Sequence, residues 1–544
     1  MMYAIGHSGR MKMNHRITYF NGKIYTGEGW AGCFTVEDGK FTYVGDTLPE
    51  NPGEIVDLAG QFVCAGFNDS HMHLLNLGQT LDMADLAART TSLEDVLGCL
   101  REYIAEQQPA PGTWVRGRGF NQDYFAGEHR FPSRYDLDAV STDHPICITR
   151  ACGHICVVNS RALEILGIDK NTPQPEGGRF NVDENGEPTG QFFENALGLV
   201  YSAMPAPDRD ALRRMLLKGC QRLNSYGITS CQSDDYESVS GLSYLPIMEV
   251  MEEMAETGEL TVRVNEQVHF TNVEDLSAFI EAGHHKRCTV RFKNGPLKML
   301  GDGSLGARTA YLSRPYADDE TTRGIPVYTQ KQFDEMCDLA NRSGMPIAIH
   351  SIGDGILDCI LDAYDKALAA CPREDHRHGI VHCQITRPDQ LKRIKDMGLH
   401  VYLQSIFIDY DSRIVHARVG EELAATSYGA KSFLENSVSF SNGSDAPVED
   451  PVVLRGIQCA VTRRSIGSTD APYRPEEALT VGEAIDSFTK GAAYASFEEH
   501  IKGRIQPGML ADFVILGEDP FTADPETLHK IPVAATYLGG EKVY

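Results

Sequence analysis

An alternation restricts the fold of this sequence more than any other feature. Eight short apolar runs recur, at 61–69, 227–234, 261–270, 295–303, 346–354, 379–385, 399–405 and 438–447. Amphipathic stretches such as 330–344 and 387–398, each ending at glycine, separate several of them. Glycine after the last periodic residue is a helix stop. Strand–helix alternation argues for a parallel sheet. Eight repeats suggest an α/β chain closed into a (β/α)8 TIM-like barrel, and a doubly wound sheet is the alternative that pattern alone leaves open. A ninth run, 145–154, lies in the stretch 76–205, rich in proline, glycine and turns, between the first two strands. We assign 76–205 to an insertion over the barrel mouth.

The two ends read differently. Residues 16–63 carry short β-rich runs with Asn21–Gly22 and Asp38–Gly39, both hairpin signals. Near the other end, 512–519 and 533–544 are again short strands. We expect residues 15–63 and 500–544 to meet in one small composite β-domain, with the barrel spanning 64–499. Residues 1–14 read as a disordered leader, since Met11 and Met13 are alternative starts.

The formal charge of −26 should repel nucleic acid and anionic membrane, so no polyanion partner is expected. The 14 cysteines are scattered without a C-x-x-C pair, Cys152 and Cys156 being the closest spaced. That is not a disulfide framework, and reduced thiols in a cytoplasm fit best. The first residues lack an apolar signal region, and no apolar run reaches membrane-spanning length.

Metal-competent side chains sit at the same end of the proposed strands. His71 and His73 close the first, Lys298 lies near the end of the fourth, and His350, His382 and Asp445 end the fifth, sixth and eighth. Strand side chains repeat direction every second residue, so His71 and His73 point the same way. Taken singly, each signal is weak. An H-x-H pair is more often incidental, a lone strand-end histidine is usually a satisfied core residue, Asp445 suits a turn or helix cap, and Lys298 suits an edge charge. Their joint occurrence at the end of the strands where barrel active groups collect is what points to a metal site.

The ordered motifs AGFNDSHMHL (65–74), LKMLGDGSLGARTAYLSRPY (297–316), IHSIGD (349–354), IVHCQI (380–385), SNGSDAPV (441–448), GRIQPGMLADFVIL (503–516) and GHICVVNSRAL (153–163) resemble the metal-dependent amidohydrolase superfamily. The resemblance covers nearly the whole chain and is strongest to the YtcJ-like branch, amidohydrolase family 3, which includes N-substituted formamide deformylase. It implies a TIM-like barrel with a composite β-sandwich from both termini. It also implies that His71 and His73 bind one metal, that Lys298 bridges two as an N-carboxylated lysine, that His350 and His382 bind the second, and that Asp445 touches the first metal and the attacking water. Asn68, where isoleucine is usual, and Ser351, where alanine is common, depart from the pattern without removing a ligand.

The residue types suit that chemistry. Imidazole and carboxylate favour zinc, with iron, manganese or nickel also accepted. A lysine ammonium has no acceptor, whereas its CO2-derived carbamate is an anionic oxygen donor. The alternative is one metal with Lys298 unmodified and Glu194 as a substitute ligand. A metal-activated hydroxide attacking a carbonyl, with Asp445 as general acid/base and His382 assisting at the oxygen, would cleave a C–N bond: an amide, N-acyl, N-formyl or cyclic amide. Ester or phosphoester hydrolysis on the same metals is the alternative. An inactive scaffold is disfavoured because all six ligand candidates are present. His154, Asn159 and Arg161 are the insertion's substrate-binding candidates, against an equal reading as a structural cap. Asp302 and Arg308 are expected to pair and brace their loop, and Asp354 to cap a helix or support the site. Trp114, Phe120, Asn121 and Tyr124 read as packing more than pocket lining. The expected partner is a small-molecule substrate, with a homodimer the default assembly.

Overall fold

A computed structural model describes residues 16–89, 91–151, 155–175, 178–194, 196–239 and 241–544. The expected leader, 1–14, lies outside the described residues. Eight parallel strands run in chain order: β1 (Phe67–Met72), β2 (Ile228–Ser233), β3 (Arg263–His269), β4 (Phe292–Leu300), β5 (Ile347–Ser351), β6 (Gly379–His382), β7 (His400–Leu403) and β8 (Phe440–Asn442). Each pairs in register with the next, as in Lys298 with Ala348 and His350 with Val381. β1, β2, β3, β6 and β7 are buried along their whole length, as parallel strands covered on both faces must be. The backbone after β8 nearly closes the ring. Asp445 N–H donates to the His71 carbonyl (2.8 Å) and Ser444 N–H to Asp69 Oδ1 (3.0 Å). Gly443 permits this approach, because a Cβ there would lie 2.6 Å from His71 N.

The run 61–69 contributes to two strands. Phe62–Ala65 pairs antiparallel with Phe513–Leu516, and the chain then enters β1. Gly66 is the pivot, since a Cβ there would meet Thr229 Oγ1 at 2.3 Å. Phe62–Ala65 lies in an eight-stranded sheet that joins Ile17–Tyr25, Trp30–Glu37, Lys40–Gly45 and Glu54–Asp57 to Phe513–Leu516, Val533–Leu538 and Glu541–Lys542. Its core is aromatic, with Phe513 stacked on Tyr537 at 4.4 Å and edge-on to Phe34 at 5.0 Å. Asp38–Gly39 makes the expected hairpin turn, both at positive φ, between the paired Glu37 and Lys40. Asn21–Gly22 does not. It is an irregularity inside the single strand Ile17–Tyr25, whose two parts pair with Glu54–Asp57 and with Phe62–Val63. Left-handed Asn21 (φ 57°) bends the strand without reversing it. Arg263, at the start of β3, donates to both Asp512 carboxylate oxygens (2.7 and 2.9 Å), and both side chains are buried.

A separate compact unit comprises Leu75–Lys218 with Val239–Pro246. It carries a six-stranded sheet in the order Gly178–Val182, Pro188–Glu194, Ile155–Val158, Ile146–Arg150, Val115–Phe120, Ala84–Asp85. The ninth apolar run therefore belongs to the insertion and not to the barrel. Among the described residues no helix is long and apolar enough to cross a membrane.

Glu498 lies 2.8 Å from Lys502 and 3.4 Å from Lys293 on β4. Burial alone would raise its pKa, but the two ammonium groups outweigh burial and lower it from the ordinary 4.5 to about 2. Ionised Glu498 therefore stabilises the fold fully above its unfolded value, and that contribution disappears as pH falls from about 4.5 to about 2. Glu498→Gln should lower the midpoint of thermal unfolding at neutral pH, by on the order of 2–3 kcal/mol in stability. Its midpoint should then fall less steeply than that of the parent through the acid window; parallel curves would refute the assignment.

Candidate metal centre

The strand ends bring the predicted residues to one mouth. His71 is buried and donates from Nδ1 to the Gln267 Oε1 carbonyl of β3 at 2.7 Å, leaving its Nε2 lone pair facing inward. His382 is arranged alike, with Nδ1 against Gln404 Oε1 at 2.6 Å. His73 donates from Nδ1 to the Asp234 carbonyl oxygen at 2.9 Å. Asp445 Oδ1 faces both first-strand histidines, 3.1 Å from His73 Nε2 and 3.4 Å from His71 Nε2. Ligand atoms of His71, His382 and Asp445 all fall within 4.8 Å of one another. Two imidazoles and a carboxylate at this spacing fit a divalent cation.

Lys298 Nζ lies 3.0 Å from Asp234 Oδ2 and 3.4 Å from His71 Nε2, with its side chain buried. His350 stands one step out. Its ring is edge-on to His382 at 4.5 Å, while its Nε2 faces the Gly303 carbonyl at 3.1 Å. His382 (φ 69°) and Asp445 (φ 59°) are both left-handed, a conformation that costs about 1–2 kcal/mol in non-glycine residues. Such strain persists only where the surroundings over-determine it. At Asp445, buried Asp69 supplies the constraint through the preceding residue, accepting from Ser444 Oγ (2.5 Å) and Ser444 N–H, and also from His71 N–H (3.3 Å).

Charge is sharply partitioned in this mouth. Burial, then the charge of Lys298, holds His71 well below its ordinary pKa, and burial, then His350, lowers His382 to about 3. Both rings are neutral near pH 7, as ligation requires. Burial opposes a charge on His73, yet its hydrogen bond to Asp445 and the charge of Asp234 raise it to about 9, so it must give up its Nε2 proton to bind a metal. Burial would likewise raise Asp445, but His73, His71 and His382 hold it below the usual carboxylate range.

A model of the amidohydrolase family matches residues 54–544. The chain belongs to the amidohydrolase family. This amidohydrolase is 33% identical to YtcJ of Bacillus subtilis (strain 168), which carries the amidohydrolase name, over 94% of its own length and 95% of that protein's. It is 27% identical to N-substituted formamide deformylase of Arthrobacter pascens, over 90% and 89% of the two chains. A crystal structure of an uncharacterized metal-dependent hydrolase from Pyrococcus furiosus superposes with a TM-score of 0.77 at 28% identity, covering 93% of this chain and 100% of that one.

Two residues of the amidohydrolase mouth escaped the sequence reading. Asp234 follows β2 and bonds Lys298 and, at 3.2 Å, His269 Nδ1. His269 ends β3, is buried, and has no hydrogen-bond partner at Nε2 among the described residues. Applying the strand-end rule to every strand would have found both. Gln267 and Gln404 gave no signal, because neutral amides become informative only once register places them beside a histidine.

In the insertion, Asn159 is fully buried and caps the helix Ser160–Leu166. Its Oδ1 accepts from Ile146 and Ala162 N–H and its Nδ2 donates to the Ser141 and His144 carbonyls, which uses all four bonds an amide side chain can make. Arg161 is paired with Glu164 at 2.9 Å on the same helix. His154 lies outside the described residues. The expected Asp302–Arg308 pair does not form. Asp302 accepts from the backbone of Tyr311, Ile352 and Gly353, and Arg308 pairs with Asp318. Asp354 opens the helix Asp354–Ala370 and pairs with Arg387 at 2.7 Å. Phe120 is core, whereas Tyr124 is mostly exposed.

Proposed function

We propose that this amidohydrolase cleaves C–N bonds other than peptide bonds (amide, N-acyl, N-formyl or cyclic amide) with His71, His73, Lys298, His350, His382 and Asp445 as its metal-binding set, zinc being the favoured ion. The observation that carries the reading is the convergence of His71, His382 and Asp445 on one point at the strand ends. A divalent cation bound there supplies a water whose pKa is lowered to about 7 and an electrophile for a carbonyl oxygen. The chain's own residues do the rest. His71 and His382 present lone pairs fixed by Gln267 and Gln404. Asp445 Oδ1 takes the proton from the attacking water and hands it to the leaving nitrogen. Lys298 accepts CO2 as a carbamate once its amine is neutral, and Asp234, 3.0 Å away, positions it. The name of the Arthrobacter pascens relative supports an N-acyl substrate.

The native protein, purified without chelator, should hold two metals per chain and show an intact mass heavier by one CO2, located at Lys298. Lys298→Met should lose both the added mass and at least one metal. A protein with one metal and no added mass would refute the bridging lysine. A panel of N-formyl amines, N-acyl amino acids, cyclic amides and aryl esters tests the bond type, and turnover confined to the esters would overturn the C–N reading.

A further inference from the structure

A second cavity lies at the other ends of the strands, where β4 and β5 begin. In barrels this face serves stability more than catalysis. The cavity measures about 370 Å3 and is bounded by Asn265, Lys286, Lys293, Met345, Arg373 and Phe497 among others, with no aspartate or glutamate in its lining. Small-molecule pockets span about 300–1,000 Å3.

In a chain of formal charge −26, three cations line this cavity. Among the described residues, the Arg373 guanidinium donates only to uncharged oxygens: the Met345 carbonyl at 2.8 Å, the Gly344 carbonyl at 2.9 Å, and Asn341 through Oδ1 at 3.4 Å and its carbonyl at 3.5 Å. Lys293 donates to the Ser496 carbonyl and shares Glu498 with Lys502. Lys286 is exposed. Glu498 is the one carboxylate bonded to any of the three lining cations among the described residues. Asn265 is 3% exposed and its Nδ2 donates to Gln232 Oε1 at 3.2 Å, but its Oδ1 receives no hydrogen bond among the described residues. A buried acceptor left unpaired costs about 1–3 kcal/mol. Gly295 packs against that oxygen, because a Cβ there would lie 2.4 Å from it.

We propose that this cavity binds a small organic anion, a carboxylate or a phosphate. Lys286, Lys293 and Arg373 supply the field that draws the anion in. The site is distinct from the metal centre, which the same strands carry at their opposite ends.

Malate and inorganic phosphate both combine anionic oxygens with an O–H, and they distinguish the two anion classes. Each is titrated by calorimetry into the full-length, metal-loaded protein at constant ionic strength, with the unfolding midpoint followed in parallel. One of them should bind saturably and raise the midpoint, as a ligand of the folded state must. Lys286→Glu, an exposed substitution that leaves folding and the metal centre intact, should weaken that binding by about tenfold or more. Absence of saturable binding by both probes overturns the proposal. So does binding of equal strength in Lys286→Glu, which would put the anion on the metals instead.

Discussion

Asp445→Asn should retain metal close to the parent level while its turnover of the best substrate in the amide panel falls by about 10³-fold. Asparagine keeps the shape and an oxygen, and it tolerates the left-handed backbone (φ 59°) better than most residues. His71, His73 and His382 remain to hold the ion. What asparagine lacks is basicity, so it cannot receive the water's proton. The carboxylate is held ionised by the three histidines around it, which makes it a weak base in the metal-free mouth. Turnover near the parent value with metal bound would remove Asp445 from the proton path. Loss of metal together with turnover would make it a ligand first.

Arg263→Met should be among the most destabilising single changes outside the mouth. It strips a bidentate partner from Asp512, whose side chain is 4% exposed, and among the described residues leaves only the Gly539 N–H at 2.7 Å on that carboxylate. Breaking a buried pair by removing one member costs about 3–5 kcal/mol. The double variant Arg263→Met with Asp512→Leu should regain part of the loss, because it removes the orphaned charge as well. Thermal unfolding of the parent and the three variants measures the cycle. An Arg263→Met midpoint equal to the parent's would show that the pair contributes nothing.

Much of the architecture was legible because its signal is local. Apolar runs flanked by glycine identified every barrel strand, and a shared strand end made His71, His73, Lys298, His350, His382 and Asp445 stand out. What stayed hidden depends on register and on long-range partners. Asn21–Gly22 has the composition of a turn, but two separate strands, Glu54–Asp57 and Phe62–Ala65, pair along Ile17–Tyr25 and keep it extended. Asp302 and Arg308 are close in sequence and opposite in charge, yet the backbone amides of β5's following loop outcompete the guanidinium for the carboxylate. Asn159 had equal readings until its four hydrogen bonds made it a cap. Asp234 and His269 were readable in principle, at strand ends like the others.

The order of strands in the terminal sheet has a consequence for biosynthesis. Phe513–Leu516 leaves the ribosome after all eight barrel strands, yet it occupies the middle of that sheet, between Phe62–Ala65 and Val533–Leu538. Until it arrives, the apolar strand Phe62–Ala65 has an open edge throughout translation of the barrel. A nascent chain stalled before residue 513 should therefore be held by chaperones that cover exposed strand edges, and be released only when Phe513–Leu516 is made.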